Sequence, residues 1–197
     1  MPTIYSAASN AQDGDKKRPK ETRRVPKNIP YVVDNLWAWA RPEQYADRRF
    51  CAYGSRTIEE ASKYGKGDVY RIEFLGQHTI CQLRGYGDAK NHPDVERKAG
   101  DKDKKPVKQV LFDMLGKYDW SNQSVDAKKE VGCLYIPVLD AEEVEDILTS
   151  FLTAIQRETL KEKIDFWDDV VVNPDEISED GEIFFEYPGC YRLRTLE

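Results

Sequence analysis

The chain has 197 residues with a net charge of −6, from 30 basic and 36 acidic side chains, and it is 11% aromatic. That length can bury a sizeable core, while a mean hydropathy of −0.72 and the lack of any 18-residue apolar run argue against an integral membrane protein. Cys51, Cys81, Cys133 and Cys190 lie far apart with no CxxC pair, and His78 and His92 are the only histidines, so neither a metal centre nor a disulfide framework is expected.

Charge is unevenly spread. Residues 1–27 carry Lys16, Lys17, Arg18, Lys20, Arg23, Arg24 and Lys27 against three acids, without apolar period, and read as a flexible basic leader. The remaining residues, 28–197, form an acidic body, which argues against nucleic acid as the main ligand. The leader has no apolar core of a secretory signal peptide, so the expected location is cytoplasmic, although secretion through a dedicated machine, without a cleavable signal peptide, would leave no trace in the sequence.

In chain order, Ile29 to Trp39 reads as a strand from its β-branched and aromatic content, ending at Arg41-Pro42. Phe50–Tyr53 is a second strand, followed by Gly54-Ser55-Arg56-Thr57. Thr57 and Glu60 have capping-box spacing for a short helix running to Gly65. Asp68–Phe74 alternates, with Tyr70, Ile72 and Phe74 on one face and Val69, Arg71 and Glu73 on the other. Gln77 to Leu83 is a further strand, and residues 85–105 read as a long mobile surface loop. Pro106 opens a helix with Val107, Val110, Leu111 and Met114 on one face, closed by Gly116. Val131 to Val138 reads as a strand. Asp140 and Glu143 cap the longest helix, whose stripe is Val144, Ile147, Leu148, Phe151 and Ile155. Val170–Val172 is a strand. After an acidic link, Asp180-Gly181 turns into Ile183-Phe184-Phe185, Pro188-Gly189 breaks the run, and Cys190–Arg194 alternates as a closing strand. On this reading the end of the chain is a hairpin with Glu182 at a sheet edge. Mixed short strands with two or three helices predict an α+β fold.

Three of these pieces follow each other in the order used by ADP-ribosyltransferases. They are the first strand at Ile29–Trp39, the strand with Tyr53, Ser55 and Thr57 before a helix, and Asp180-Gly181-Glu182 with its two strands. The chain thus resembles a divergent mono-ADP-ribosyltransferase of the bacterial toxin or effector kind. The resemblance implies split mixed β-sheets with flanking helices across residues 28–197. It implies NAD as the donor substrate and a protein side chain as acceptor, on a host regulator such as ubiquitin or a GTPase. Glu182 becomes the catalytic carboxylate and Asp180 the residue that serves the acceptor. Tyr53, Ser55 and Thr57 would brace the NAD pocket. The family's first strand carries an Arg or His that Ile29–Trp39 lacks, so Asn35 is implied at the ribose, and Arg41, Arg48 or Arg49 at the phosphates.

The chemistry asked of Glu182 is definite. Cleavage of the nicotinamide–ribose bond builds positive charge on the ribose, as in glycoside hydrolysis. A carboxylate held where that charge develops stabilises the transition state. Glu186 shares the face of Glu182 by period two and is a reserve candidate. NAD hydrolysis is the close variant, and a non-catalytic interaction or inhibitor domain is the alternative from another class.

Overall fold

The structure is a computed structural model and describes residues 2–96, 104–116 and 125–196. The chain divides into two units: Met1–Arg23, Glu43–Ala89 and Asp168–Glu197 form the first, and Arg24–Pro42 and Lys90–Trp167 the second. The expected boundary between a leader and one domain is therefore not the one the chain uses.

Alternation builds the first unit. Its first sheet has the order β1 (Tyr5–Ala8), β4 (Asp68–Phe74), β8 (Tyr191–Arg194) and β2 (Lys16–Lys17). Its second has the order β3 (Ala52–Gly54), β7 (Gly181–Glu186), β5 (Thr79–Arg84) and β6 (Val170–Val171). Every pairing is antiparallel, so the α+β class holds, while the sheets are not mixed. The predicted faces of β4 are as expected, with Tyr70 and Ile72 buried. From the first sheet they join Tyr191 and Leu193, and from the second Ile80, Ile183, Phe185 and Tyr187, in one apolar layer between the sheets. Helix α2 (Ile58–Tyr64) starts as predicted, with the Thr57 side chain accepting from the Glu60 N–H.

Two expectations fail in this unit. The basic leader is not free of the domain: Tyr5–Ala8 pairs residue for residue with Asp68–Arg71, and Ile4 is 1% exposed in the core. Gly14 N–H donates to the Leu193 carbonyl and Leu193 N–H to that of Asp15, each at 2.8–2.9 Å. A two-residue strand and a small-residue strand carry little periodic signal, so their order comes from the ladder they complete. The closing hairpin is also absent. β7 and β8 belong to different sheets, and Tyr187–Cys190 carries the chain from one to the other. Glu182 therefore lies on an interior strand, not at an edge.

The second unit is helical. Tyr31–Trp39, read as a strand, is helix α1, with seven of its nine residues buried. Val32, Val33, Leu36 and Trp37 recur at helical spacing, and burial on nearly all sides outweighs their β propensity. Helix α3 (Val107–Leu115) begins after Pro106 and ends at Gly116, as expected. Val131 to Val138 is not a strand. It is the end of α4 (Val125–Gly132), a 3-10 turn at Cys133–Tyr135, and Val138 in the left-handed region at φ 58°. Helix α5 (Ala141–Thr149) has the predicted capping box at Asp140 and Glu143, but stops early. Thr153 and Gln156 form a second capping box that opens α6 (Ala154–Lys161), so Ile155 is 80% exposed and leaves the predicted stripe.

The first part of the 85–105 loop is only in part a surface feature: Gly85, Lys90 and Asn91 are exposed, while Ala89 is buried. It holds a 3-10 turn at Ala89–Asn91, and beyond it His92 and Asp94 are buried; residues 97–103 lie outside the described residues. Asp94 Oδ2 accepts from Trp37 Nε1 at 2.8 Å and from the Phe166 N–H at 3.1 Å.

Candidate functional site

Period two along β7 sends Ile183 and Phe185 into the inter-sheet layer and leaves Glu182, Phe184 and Glu186 on the opposite face. The segment before β3 lies over that face. Ala46 N–H donates to Cys81 Sγ at 3.3 Å, Asp47 N–H to Glu186 Oε2 at 3.1 Å, and Arg48 Nη2 to Glu182 Oε2 at 3.3 Å.

Glu182 is held from three sides. Its Oε2 also accepts from the Ala89 N–H at 3.0 Å, and its own N–H donates to the Tyr86 carbonyl at 2.7 Å. The Arg48 guanidinium carbon stands 5.3 Å from the Phe184 ring centre and 5.6 Å from that of Tyr53. Tyr53 Oη in turn donates to the Arg48 carbonyl at 2.7 Å. The side chains of Arg48 and Glu182 are 10% and 16% exposed, so their attraction acts with little solvent screening. Removing one partner of such a pair costs about 3–5 kcal/mol, because the other charge stays buried.

The other predicted residues fall into different places. Tyr53 is brought to Glu182 through Arg48. Asp180 is exposed, and its backbone carbonyl accepts from Gln82 Nε2 and Ser178 Oγ. Gly181, at φ +128°, lets the chain turn against the Leu83 carbonyl, where a Cβ would stand 2.2 Å away. Ser55 is buried and exchanges both backbone bonds with Tyr5, bridging β1 to the end of β3. Thr57 caps α2, the role its spacing suggests without any ligand. Arg49 is 3% exposed, and its N–H donates to Asp47 Oδ1, so it stands beside Arg48 in the buried segment.

Asn35 is a correction. It lies on α1 in the second unit, fully buried, and its amide nitrogen donates to the Leu134 and Ile136 carbonyls at 2.9 and 2.8 Å. Its Oδ1 accepts from the Leu139 N–H at 3.1 Å. With both donors taken by backbone carbonyls and the side chain fully buried, Asn35 is not placed to meet a ribose. It also explains why 131–138 needs no strand partner, since Asn35 satisfies backbone groups that a ladder would otherwise take.

Arg48 was visible in the sequence only as one of several loop arginines. The twin Arg48-Arg49 before a strand gives no signal of which one turns inward. Cys51, buried on the same segment, is no nucleophile: burial first, then the nearby Glu186 charge, pushes its thiol well above the usual range. Among the described residues no group of three or more His, Cys, Asp or Glu is arranged to hold a metal ion, and no helix is long and apolar enough to cross a membrane.

Compared with family models, curated proteins and solved structures, the chain matches none. The chemistry of this face is therefore the ground for a functional reading.

Proposed function

We propose that the chain is a NAD-dependent protein mono-ADP-ribosyltransferase with Glu182 as its catalytic carboxylate. One observation carries the reading: a carboxylate, a guanidinium and an aromatic ring meet on one face of an interior strand. In this reading the diphosphate of NAD competes for Arg48 and draws it off Glu182. The carboxylate then faces the ribose, and Tyr53 offers its ring to nicotinamide. The ribose C1–nitrogen bond breaks and its electron pair leaves with nicotinamide. The acceptor side chain bonds to C1 and loses its proton, for which exposed Asp180 is the nearest candidate base in sequence. Charge on the forming ribosyl cation is answered by Glu182, a type of contribution worth about 10²–10³ in rate. Arg48 supplies the phosphate-binding cation that the first helix, lacking Arg and His, does not.

The first test is direct. The full chain is incubated with NAD labelled in the adenylate, with and without a cell lysate. Nicotinamide release and label on a protein band are the expected result. Neither release nor labelling, with the chain shown to be folded, rejects the reading.

One observation favours a second reading, a non-catalytic interaction domain of bacterial effector or inhibitor type. The Glu182 carboxylate is bonded within the chain, to Arg48 and to the Ala89 N–H, as for a structural pin. Under that reading, replacing Glu182 and Arg48 together by Leu and Met leaves partner binding intact; under the transferase reading it abolishes NAD cleavage.

A further inference from the structure

A second feature of the first unit is independent of Glu182. A groove of about 810 Å³ opens beside the far end of β7, lined among others by Lys20, Phe50, His78, Thr79, Glu186 and Tyr187. That volume lies within the range of small-ligand pockets, roughly 300–1,000 Å³.

The lining is chemically mixed in an informative way. Glu186 Oε2 accepts the Asp47 N–H, and among the described residues no cation stands within ion-pair distance of the carboxylate. Lys20 holds a positive charge at the same groove, with Nζ donating to the Cys51 carbonyl at 3.2 Å. The His78 ring lies almost parallel to Phe74, 4.0 Å between centres, and Nδ1 is 2.8 Å from the Gly76 carbonyl. With Nδ1–H donating there, the ring plane is fixed from two sides. Phe50 and Tyr187 supply further aromatic wall.

These groups discriminate between ligand classes. An apolar ligand would strip water from the Glu186 carboxylate and return nothing. A cationic side chain would suit Glu186 but meet Lys20. A ribonucleotide answers all three demands: a planar base for the aromatic wall, a vicinal diol that donates twice to a carboxylate, and a phosphate for the lysine.

We propose that this groove is a ribonucleotide-binding site, with the ribose diol on Glu186, the phosphate toward Lys20 and the base against Phe50 and His78. It does not depend on the transferase reading. Glu182 and Glu186 are four residues, hence about 13 Å, apart along β7.

The test is calorimetric titration of the full chain with AMP, GMP, CMP and UMP, then with the 2′-deoxy form of the tightest binder. At least one ribonucleotide is expected to bind, with the deoxy form about ten- to hundredfold weaker through loss of a charge-assisted hydrogen bond. Glu186→Leu should erase that ribo-over-deoxy preference, and Lys20→Met should weaken the nucleotide to the level of its nucleoside. Equal affinity for ribo and deoxy forms, or no binding by any of the four at millimolar concentration, overturns the proposal without need of any variant. Nucleotide binding without NAD cleavage would keep this site and reject the transferase; NAD cleavage without binding of any mononucleotide would do the reverse.

Discussion

Each unit hides a carboxylate, and the two are accommodated in different ways. In the first unit Glu182 has a guanidinium as partner and a backbone N–H as support, and its charge is answered by a full opposite charge. In the second, Asp94 is 2% exposed and bonded to the indole N–H of Trp37 and the Phe166 N–H, with the His92 ring nitrogen 3.7 Å away. Burial pushes its carboxyl up to about 6, against the lowering effect of those two donors and with the Asp165 charge adding to the rise. Neutral donors thus do not offset desolvation, so Asp94 is a group that protonates on mild acidification. Glu182 is thus held by an opposite charge, whereas Asp94 is held by neutral donors that leave its desolvation cost uncompensated.

The comparison can be broken most severely from the N-terminus. Removing residues 1–17 deletes β1, β2 and the buried Ile4. It should cost more than about 3 kcal/mol from lost burial and ladder bonds. Amides of β4 and β8 should lose exchange protection; a melting temperature unchanged by the deletion would contradict the sheet order.

Next in size is the ion pair itself. Arg48→Met should destabilise by about 3–5 kcal/mol, and adding Glu182→Leu should recover most of it, since a buried pair and an apolar replacement are often close in stability. Denaturant midpoints of the two single variants and the double variant decide it. Additive losses would mean that the two side chains do not act as a pair.

Asp94 gives the opposite signature, in pH. Between about pH 4 and 6 the folded chain holds a proton that the unfolded chain has released, so this group favours folding at low pH. Its contribution is lost as pH rises through 6. The swing is about 3 kcal/mol. Asp94→Asn keeps an oxygen for Trp37 and Phe166 and should flatten the difference; stability profiles of the two proteins that run parallel from pH 4 to 7 would show that Asp94 is not the buried acid described.

The smallest effect concerns a predicted site residue. Thr57→Ala should cost about 1 kcal/mol through loss of the α2 cap. NAD cleavage should hardly change, because Thr57 serves the helix. A large loss of cleavage at unchanged stability would return it to the pocket.

Much of the first unit was legible because its signals are local. Alternation gave β4 and β8, aromatic and β-branched content gave β7, and capping spacing gave the start of α2; in the second unit Pro106 marked α3 and capping spacing marked α5. What failed was decided at long range. The helix at Tyr31–Trp39 is enclosed on most sides, so its β-branched and aromatic residues carry no strand period, only burial. The break after Thr149 was readable in Thr153 and Gln156, but continuous apolar residues across it masked the second capping box. Strands β1 and β2 exist because β4 and β8 offer them edges, which no local pattern encodes. At the site, β7 and its carboxylate faces were foreseeable from period two. The Arg48 contact was not, since it joins residues 134 apart.

The central claim is that Glu182 carries NAD cleavage. The measurement is nicotinamide release by the wild-type chain and by Glu182→Gln, at a temperature where thermal melts show both folded, because the loss of the Arg48 pair lowers stability. The account predicts a fall of about 10²–10³ in kcat with NAD affinity little changed, as expected for an interaction made in the transition state. A folded Glu182→Gln variant that cleaves NAD at the wild-type rate would contradict it.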